Sequence, residues 1–255
     1  MLNYISSSNK DKYPIIFIHG IAGSANSFKQ QIKSLGKDYY VISIDLPGYG
    51  KSKLDSNFTI EKYAKIISDF IIHKKLKSPI LVGHSLGGMI VQKIVISSKD
   101  FIKACILVGT TSKFGSKNPN WEKEFIHSRI KPLEDGKTMK EISFTSIRNI
   151  VSNKNIINKA VNIMSEIPEE TYKIAVRSLI GFDINNKLNR INIPTLLIAG
   201  EQDILAPPKT MKKMQEKIKN SKLITIKNCG HLINLEKPRL FNKIIKNYVI
   251  NFYLY

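Results

Sequence analysis

The sequence predicts an α/β protein: a mostly parallel sheet flanked by helices, with one helical insertion. Three observations carry this. Short β-branched runs alternate with amphipathic stretches along the chain. The 255 residues, 42% of them hydrophobic, suffice for one sizeable core. The alternation breaks once, between Thr111 and Ile191, where helical patterns follow one another without a strand.

Taken in order, Leu2–Ser6 fits an edge strand, and Ile15–Ile18 and Tyr40–Ile44 fit buried ones. Between these two, Ser27–Leu35 presents Phe28, Ile32 and Leu35 on one helical face. Thr59 is an N-cap residue for a helix reaching Leu76, whose buried stripe is Tyr63, Ile66, Ile67, Phe70 and Ile71. Strand Ile80–Val82 feeds a helix from Gly88 to Ser97, and strand Ala104–Val108 follows. At about eighty residues, the stretch from Thr111 to Ile191 is too long for a bare loop. It reads as a helical lid on one edge of the sheet, punctuated by Gly136, Pro168 and Gly181, and it holds the single Trp, Trp121. The core is then 1–110 and 192–255, and the lid 111–191. Strands Thr195–Ala199 and Leu223–Ile226 resume the alternation. The last helix, Pro238–Val249, opens on a first-turn proline and shows Leu240, Phe241, Ile244, Ile245 and Tyr248 on one face.

The formal charge of +20 raises the question of an anionic partner. Phosphates and bases are read best by the rigid guanidinium fork. Here the only arginines among 40 basic residues are Arg129, Arg148, Arg177, Arg190 and Arg239. No basic run carries interleaved aromatics, so no nucleic-acid surface is expected, and the residual consequence is attraction for anionic substrates or an acidic carrier protein. No apolar run reaches the ~18 residues of a membrane span, and polar Ser6 to Lys12 stands where a signal peptide would be apolar. Two cysteines, Cys105 and Cys229, exclude a disulfide scaffold, and His and Cys are too sparse for a metal site. Cys229 reads as a small packing residue. The expectation is a cytoplasmic protein, monomer or dimer, without cofactor. The apolar tail Asn251-Phe252-Tyr253-Leu254-Tyr255 either docks on the body or makes a dimer contact.

The chemistry gathers in four places. Gly83-His84-Ser85-Leu86-Gly87 follows a buried strand and opens a helix, the strand–turn–helix context in which a G-x-S-x-G serine points its hydroxyl away from the sheet. A serine needs a base. Of five histidines, His73 sits in the last turn of an amphipathic helix and His127 has no motif around it. His231, in Asn228-Cys229-Gly230-His231, stands on a loop at the C-terminal end of the last strand, the edge where α/β folds gather ligands. The base in turn needs a carboxylate. Asp203, in Gly200-Glu201-Gln202-Asp203, lies on the same edge, with Glu201 as its competitor. For the oxyanion, the expected donors are the backbone N–H groups of Leu86 and of Ile21, the latter in the loop His19-Gly20-Ile21-Ala22-Gly23-Ser24. The His19 ring is expected to hold that loop.

With these segments in view, and with Phe17-Ile18-His19-Gly20 and Asp45-Leu46-Pro47-Gly48-Tyr49-Gly50-Lys51-Ser52 added, the chain resembles the α/β-hydrolase superfamily over nearly its whole length. The first strand of the usual eight-stranded sheet is expected to be absent or reduced. Ser85 stands where haloalkane dehalogenases and epoxide hydrolases carry Asp. The stretches Ala206-Pro207-Pro208 and Gly230 to Pro238, with Phe241-Asn242, resemble the 3-oxoadipate enol-lactonase-like and carboxylesterase subgroup. The resemblance implies a cofactor-free serine hydrolase that cleaves an ester or lactone through an acyl-enzyme. Trp121 is expected to line the pocket, and Arg129, Arg148 and Arg177 are candidate partners for a substrate carboxylate. Three alternatives stay open. One is a carboxylesterase acting on an acyl group of an acidic carrier protein, as in the biotin-pathway methyl esterases. Another is a meta-cleavage-type C–C hydrolase, against which His84 stands where those enzymes usually have Asn. The third is a receptor without turnover.

Overall fold

A computed structural model describes residues 2–54, 58–97, 101–116 and 118–253. Its strands are β1 (Tyr4–Ser6), β2 (Pro14–Ile18), β3 (Tyr40–Ile44), β4 (Ile80–His84), β5 (Ala104–Val108), β6 (Thr195–Gly200) and β7 (Ser221–Ile226). They form one seven-stranded sheet in the order β1-β3-β2-β4-β5-β6-β7, parallel except for the edge strand β1, which runs antiparallel to β3.

Strands β2 to β6 are buried at every residue, which is why they read as continuous apolar runs. Their side chains still divide by period two. Ile16, Ile18, Leu81, Leu107 and Leu197 join the core on one face. Ile15, Phe17, Val82, Ile106 and Ile198 join the core on the other. The first face is covered by α2 (Ile60–His73), α3 (Leu86–Ser97) and α8 (Pro208–Gln215). The second is covered by α1 (Lys29–Leu35) and α10 (Pro238–Tyr253), with Phe28, Leu35, Phe241, Ile245 and Val249 as its anchors. Thr59 caps α2, its hydroxyl accepting from the Lys62 N–H. On α10, Phe252 packs on the second core and lies edge-on to Tyr248, while Leu254 and Tyr255 fall outside the described residues.

Between β5 and β6 the chain forms α4 (Trp121–Glu134), α5 (Met139–Ile150), α6 (Ile157–Ser165) and α7 (Glu169–Ser178). An antiparallel bridge between Lys113 and Asp183 closes the neck of this insertion, with an ion pair of 2.7 Å between the two side chains. Gly136 and Gly181 take positive φ at +88° and +74°, and Pro168 is the residue before α7. Among the described residues no helix is long and apolar enough to cross a membrane.

Strand β2 has β3 on one side and β4 on the other, so the chain reverses its direction of travel across the sheet here. At such a switch the loops leaving two neighbouring strands part to opposite faces and open a crevice at their C-terminal ends. The two loops here are His19–Ser24 after β2 and the Ser85 turn after β4, with Ile18 level with Gly83.

Candidate active site

Ser85 sits between β4 and α3 with φ of +54°. A non-glycine residue held there costs roughly 1–3 kcal/mol and needs support from its surroundings. Its N–H donates to the Val108 carbonyl at 2.9 Å, and its own carbonyl accepts from the Thr110 hydroxyl at 2.7 Å. A Cβ on Gly83 would collide with the Gly87 backbone, and one on Gly87 with the Ile18 carbonyl. The two glycines of the motif are therefore what lets strand and helix cross this closely.

His231, on the loop after β7, places Nδ1 2.8 Å from Asp203 Oδ2, with both side chains buried. Asp203 Oδ1 accepts from the N–H groups of Leu205 at 2.8 Å and Ala206 at 3.0 Å. Burial alone would raise the pKa of Asp203. The facing imidazole and these three hydrogen bonds outweigh it and hold the carboxyl below its ordinary value. The competing acid, Glu201, points elsewhere: it is exposed, and its carboxylate accepts from the Asn228 N–H.

His19 is fully buried. Its Nδ1 lies 2.8 Å from the Gly20 carbonyl and its Nε2 lies 3.1 Å from the Leu46 N–H. The carbonyl can only accept and the amide can only donate, so the ring is neutral with its proton on Nδ1. Burial pushes its pKa down to about 4. The ring also meets Tyr49 edge-on at 4.6 Å, and the Tyr49 hydroxyl donates to the Ile21 carbonyl at 3.2 Å. The loop carrying Ile21 is thus tied to the Leu46–Tyr49 segment, and the His19 ring holds it as the sequence led us to expect. Among the described residues neither the Ile21 N–H nor the Leu86 N–H finds a protein acceptor.

His84 had no expected role. Its Nε2 donates to the His231 carbonyl at 2.9 Å, and the two rings lie 4.8 Å apart. Burial first, and the neighbouring His231 second, push its pKa down to about 3. A neutral ring is the result, and it fixes the backbone of His231.

A cavity of about 170 Å³ opens beside Ser85, bordered by His231, Ile21 and the helices of the insertion. From α5 it is lined by Ser146 and Ile150, from α7 by Tyr172 and Val176. Arg129 on α4 also borders it, and the described lining contains no Asp or Glu. No described carboxylate pairs with Arg129, whose guanidinium carbon lies 5.6 Å from the centre of the Phe125 ring.

The other expected pocket residues are placed differently. Trp121 does not border the cavity: it stacks on Phe125 at 5.2 Å and meets Phe114 edge-on at 5.3 Å, backing two rings that do line it. Arg148 is exposed, because at ~100° per residue it lies on the far side of α5 from Ser146 and Ile150. Arg177 is exposed too, and borders a separate surface groove with Phe58 and Gly181. Among the described residues no three His, Cys, Asp or Glu side chains converge as a metal would require.

The chain matches the α/β-hydrolase-fold family over residues 13–238, and it belongs to that family. It is 32% identical over 248 residues to the pimeloyl-[acyl-carrier protein] methyl ester esterase of Wigglesworthia glossinidia brevipalpis, covering 93% of this chain and 94% of that one. To 3-oxoadipate enol-lactonase 1 of Acinetobacter baylyi it is 23% identical, with 92% and 88% covered. The enol-lactonase of Burkholderia xenovorans LB400 superposes with a TM-score of 0.88 at 18% identity, covering 97% of this chain and 96% of that one. Fold and family thus agree with the reading of the motifs, and esterases and lactonases stand among the relatives.

Proposed function

We propose that the protein is a serine hydrolase that cleaves a carboxylic ester or lactone bearing a free carboxylate. The observation that carries this reading is the 2.8 Å bond between buried Asp203 and His231, beside a strained Ser85 on the same cavity. In this reading His231 Nε2 takes the proton of the Ser85 hydroxyl as Oγ adds to the substrate carbonyl carbon. The negative oxygen that forms accepts from the Ile21 and Leu86 N–H groups. Collapse breaks the bond to the leaving oxygen, which takes the proton from His231. In a lactone that oxygen stays tethered to the acyl group. A water molecule, deprotonated by the same imidazole, then adds to the acyl-enzyme, and Ser85 leaves as the protonated hydroxyl. Asp203 stays ionised throughout and stabilises the imidazolium.

Arg129 supports the anionic part of the proposal: a half-buried cation that, among the described residues, has no acidic partner and borders a cavity lined by no Asp or Glu. The helices α4 to α7 act as the lid over this site. A second reading, an ester held on an acidic carrier protein, draws on the named activity of the Wigglesworthia relative and on the charge of +20.

The test is a turnover screen of anionic and neutral esters, lactones and thioesters, with Ser85→Ala as control. Turnover that Ser85→Ala retains would remove the serine mechanism. Salt-sensitive turnover of a carrier-bound ester, with free esters slow, would favour the second reading. A stoichiometric burst followed by a stable adduct would mean a receptor rather than an enzyme.

A further inference from the structure

Glu236 closes the short helix α9 (Ile233–Glu236), five residues after His231, and is 5% exposed. Its Oε2 accepts three backbone N–H groups: Ser152 at 2.8 Å, Asn153 at 3.0 Å and Gly230 at 3.2 Å. The first two belong to the turn that follows α5 in the insertion, the third to the loop that carries His231. Alongside them the N–H of His231 itself donates to the Ile150 carbonyl at 2.8 Å. Four hydrogen bonds therefore join these segments, and three converge on one carboxylate oxygen. Oε1 is buried too and, among the described residues, has no hydrogen-bond partner. The approach is tight: a Cβ on Gly230 would collide with the Ile150 carbonyl and stand 2.9 Å from Glu236 Oε1.

We propose that Glu236 is a positioning residue for the His231 base, clamping the turn 150–153 of the insertion to the histidine loop. The inference rests on the reading of His231 as the base. Its physical content is that one side chain sets two positions at once. Ile150 and Ser146 on α5 line the cavity, and Gly230 fixes where the His231 backbone starts. Without the carboxylate, one buried N–H group (Gly230) and two half-buried ones (Ser152 and Asn153) lose their acceptor, and the turn and the loop separate until water reaches them. The base then moves relative to Ser85, and a displacement of about 1 Å at a reacting group costs about 10²-fold in rate. A glutamine retains one accepting oxygen for the three donors, whereas an aspartate draws the carboxylate back by one methylene.

The experiment compares Glu236→Ala, Glu236→Asp and Glu236→Gln with the parent on a small neutral p-nitrophenyl ester. Competent sites are counted by labelling to completion with a fluorophosphonate. Glu236→Ala and Glu236→Asp should lower kcat per labelled site by about 10²-fold, with KM within about twofold of the parent, and Glu236→Gln should restore most of the loss. A residue that merely stabilises the fold would lower the melting temperature and the number of labelled sites while leaving kcat per labelled site unchanged. That outcome, in whichever of the Ala and Asp variants folds, overturns the proposal. If the parent itself is not labelled, or Ser85→Ala turns over at the parental rate, the reading of Ser85 and His231 fails instead.

Discussion

Replacing Asp203 by asparagine separates the role of its charge from that of its shape. The local geometry fixes how the amide must sit. Oδ1 of Asp203 accepts from two N–H groups, those of Leu205 and Ala206. The amide oxygen of an asparagine will occupy that place, since the amino group would oppose two donors. The amino group is then left at the Oδ2 position, 2.8 Å from His231 Nδ1, as a donor. The imidazole must answer with a lone pair on Nδ1 and carry its proton on Nε2, where it cannot accept the proton of Ser85. A base locked in the wrong tautomer costs about 10⁴ in kcat, or about 5.4 kcal/mol at 1.36 kcal/mol per factor of ten. Because every hydrogen bond keeps a partner, the fold should remain intact. Steady-state kinetics on a p-nitrophenyl ester, with circular dichroism and thermal melting as controls, measures both. Glu201→Gln serves as comparison and should stay within about threefold of the parent, since its exposed carboxylate accepts from the Asn228 N–H on the surface, away from His231. A loss below tenfold for Asp203→Asn, or the larger loss in Glu201→Gln, would refute the argument.

Two further outcomes follow from the cavity and its buried rings. Arg129→Ala should lower kcat/KM for anionic esters by about tenfold and spare matched neutral ones, the low end of the ~1.5–3 kcal/mol for a charged hydrogen bond because the site is half-buried. Arg148→Ala and Arg177→Ala should leave the anionic-to-neutral ratio unchanged, and equal ratios in all three variants would remove the substrate carboxylate from the proposal. Folded His19 and His84 titrate at about 4 and about 3, below the unfolded value near 6.5. The unfolded chain therefore binds protons that the folded chain refuses, so stability is full above pH ~6.5 and falls on acidification toward pH ~4. Each ring contributes ~1.4 kcal/mol per pH unit, and in urea unfolding between pH 6 and 5 His84→Gln should lose about half of the combined slope. An unfolding free energy that is flat from pH 7 to 5 would count against the two neutral rings.

The sequence exposed the scaffold well and the inside of the cavity poorly, for a physical reason. Buried parallel strands carry their signal locally, so Tyr40–Ile44 and Ala104–Val108 stand as expected, and the others differ by one or two residues at one end. The helix after β3 is capped where Thr59 indicated. Ser27–Leu35 is less regular than its apolar spacing suggested: residues 25–28 make a 3₁₀ turn before α1 begins at Lys29. Residues fixed by strand-to-helix geometry, such as Gly83, Ser85 and Gly87, are legible because the motif contains its own context. The lining of the cavity is not, because it depends on how each helix of the insertion is rotated against the core. Ser146 and Ile150, or Tyr172 and Val176, share a face by their spacing of four, yet nothing local says that this face looks toward Ser85. The rotation is set by distant contacts, such as the Thr171 hydroxyl on the Gly48 carbonyl at 3.0 Å and the Glu236 carboxylate on Ser152 and Asn153. Arg148, Arg177 and Trp121 were therefore placed by composition, and Arg129 alone of the four borders the cavity.

The central claim is that Ser85 is a nucleophile activated by His231, and intact-protein and peptide mass spectrometry after fluorophosphonate treatment tests it most directly. The account predicts one phosphonyl adduct per chain, carried by the peptide that contains Ser85. The adduct should be absent in Ser85→Ala and form far more slowly in His231→Ala. Combining the two substitutions should reduce turnover no further than either alone, because members of such a unit do not contribute independently. An adduct at another residue, labelling that survives Ser85→Ala, or losses that multiply in the double variant would contradict it.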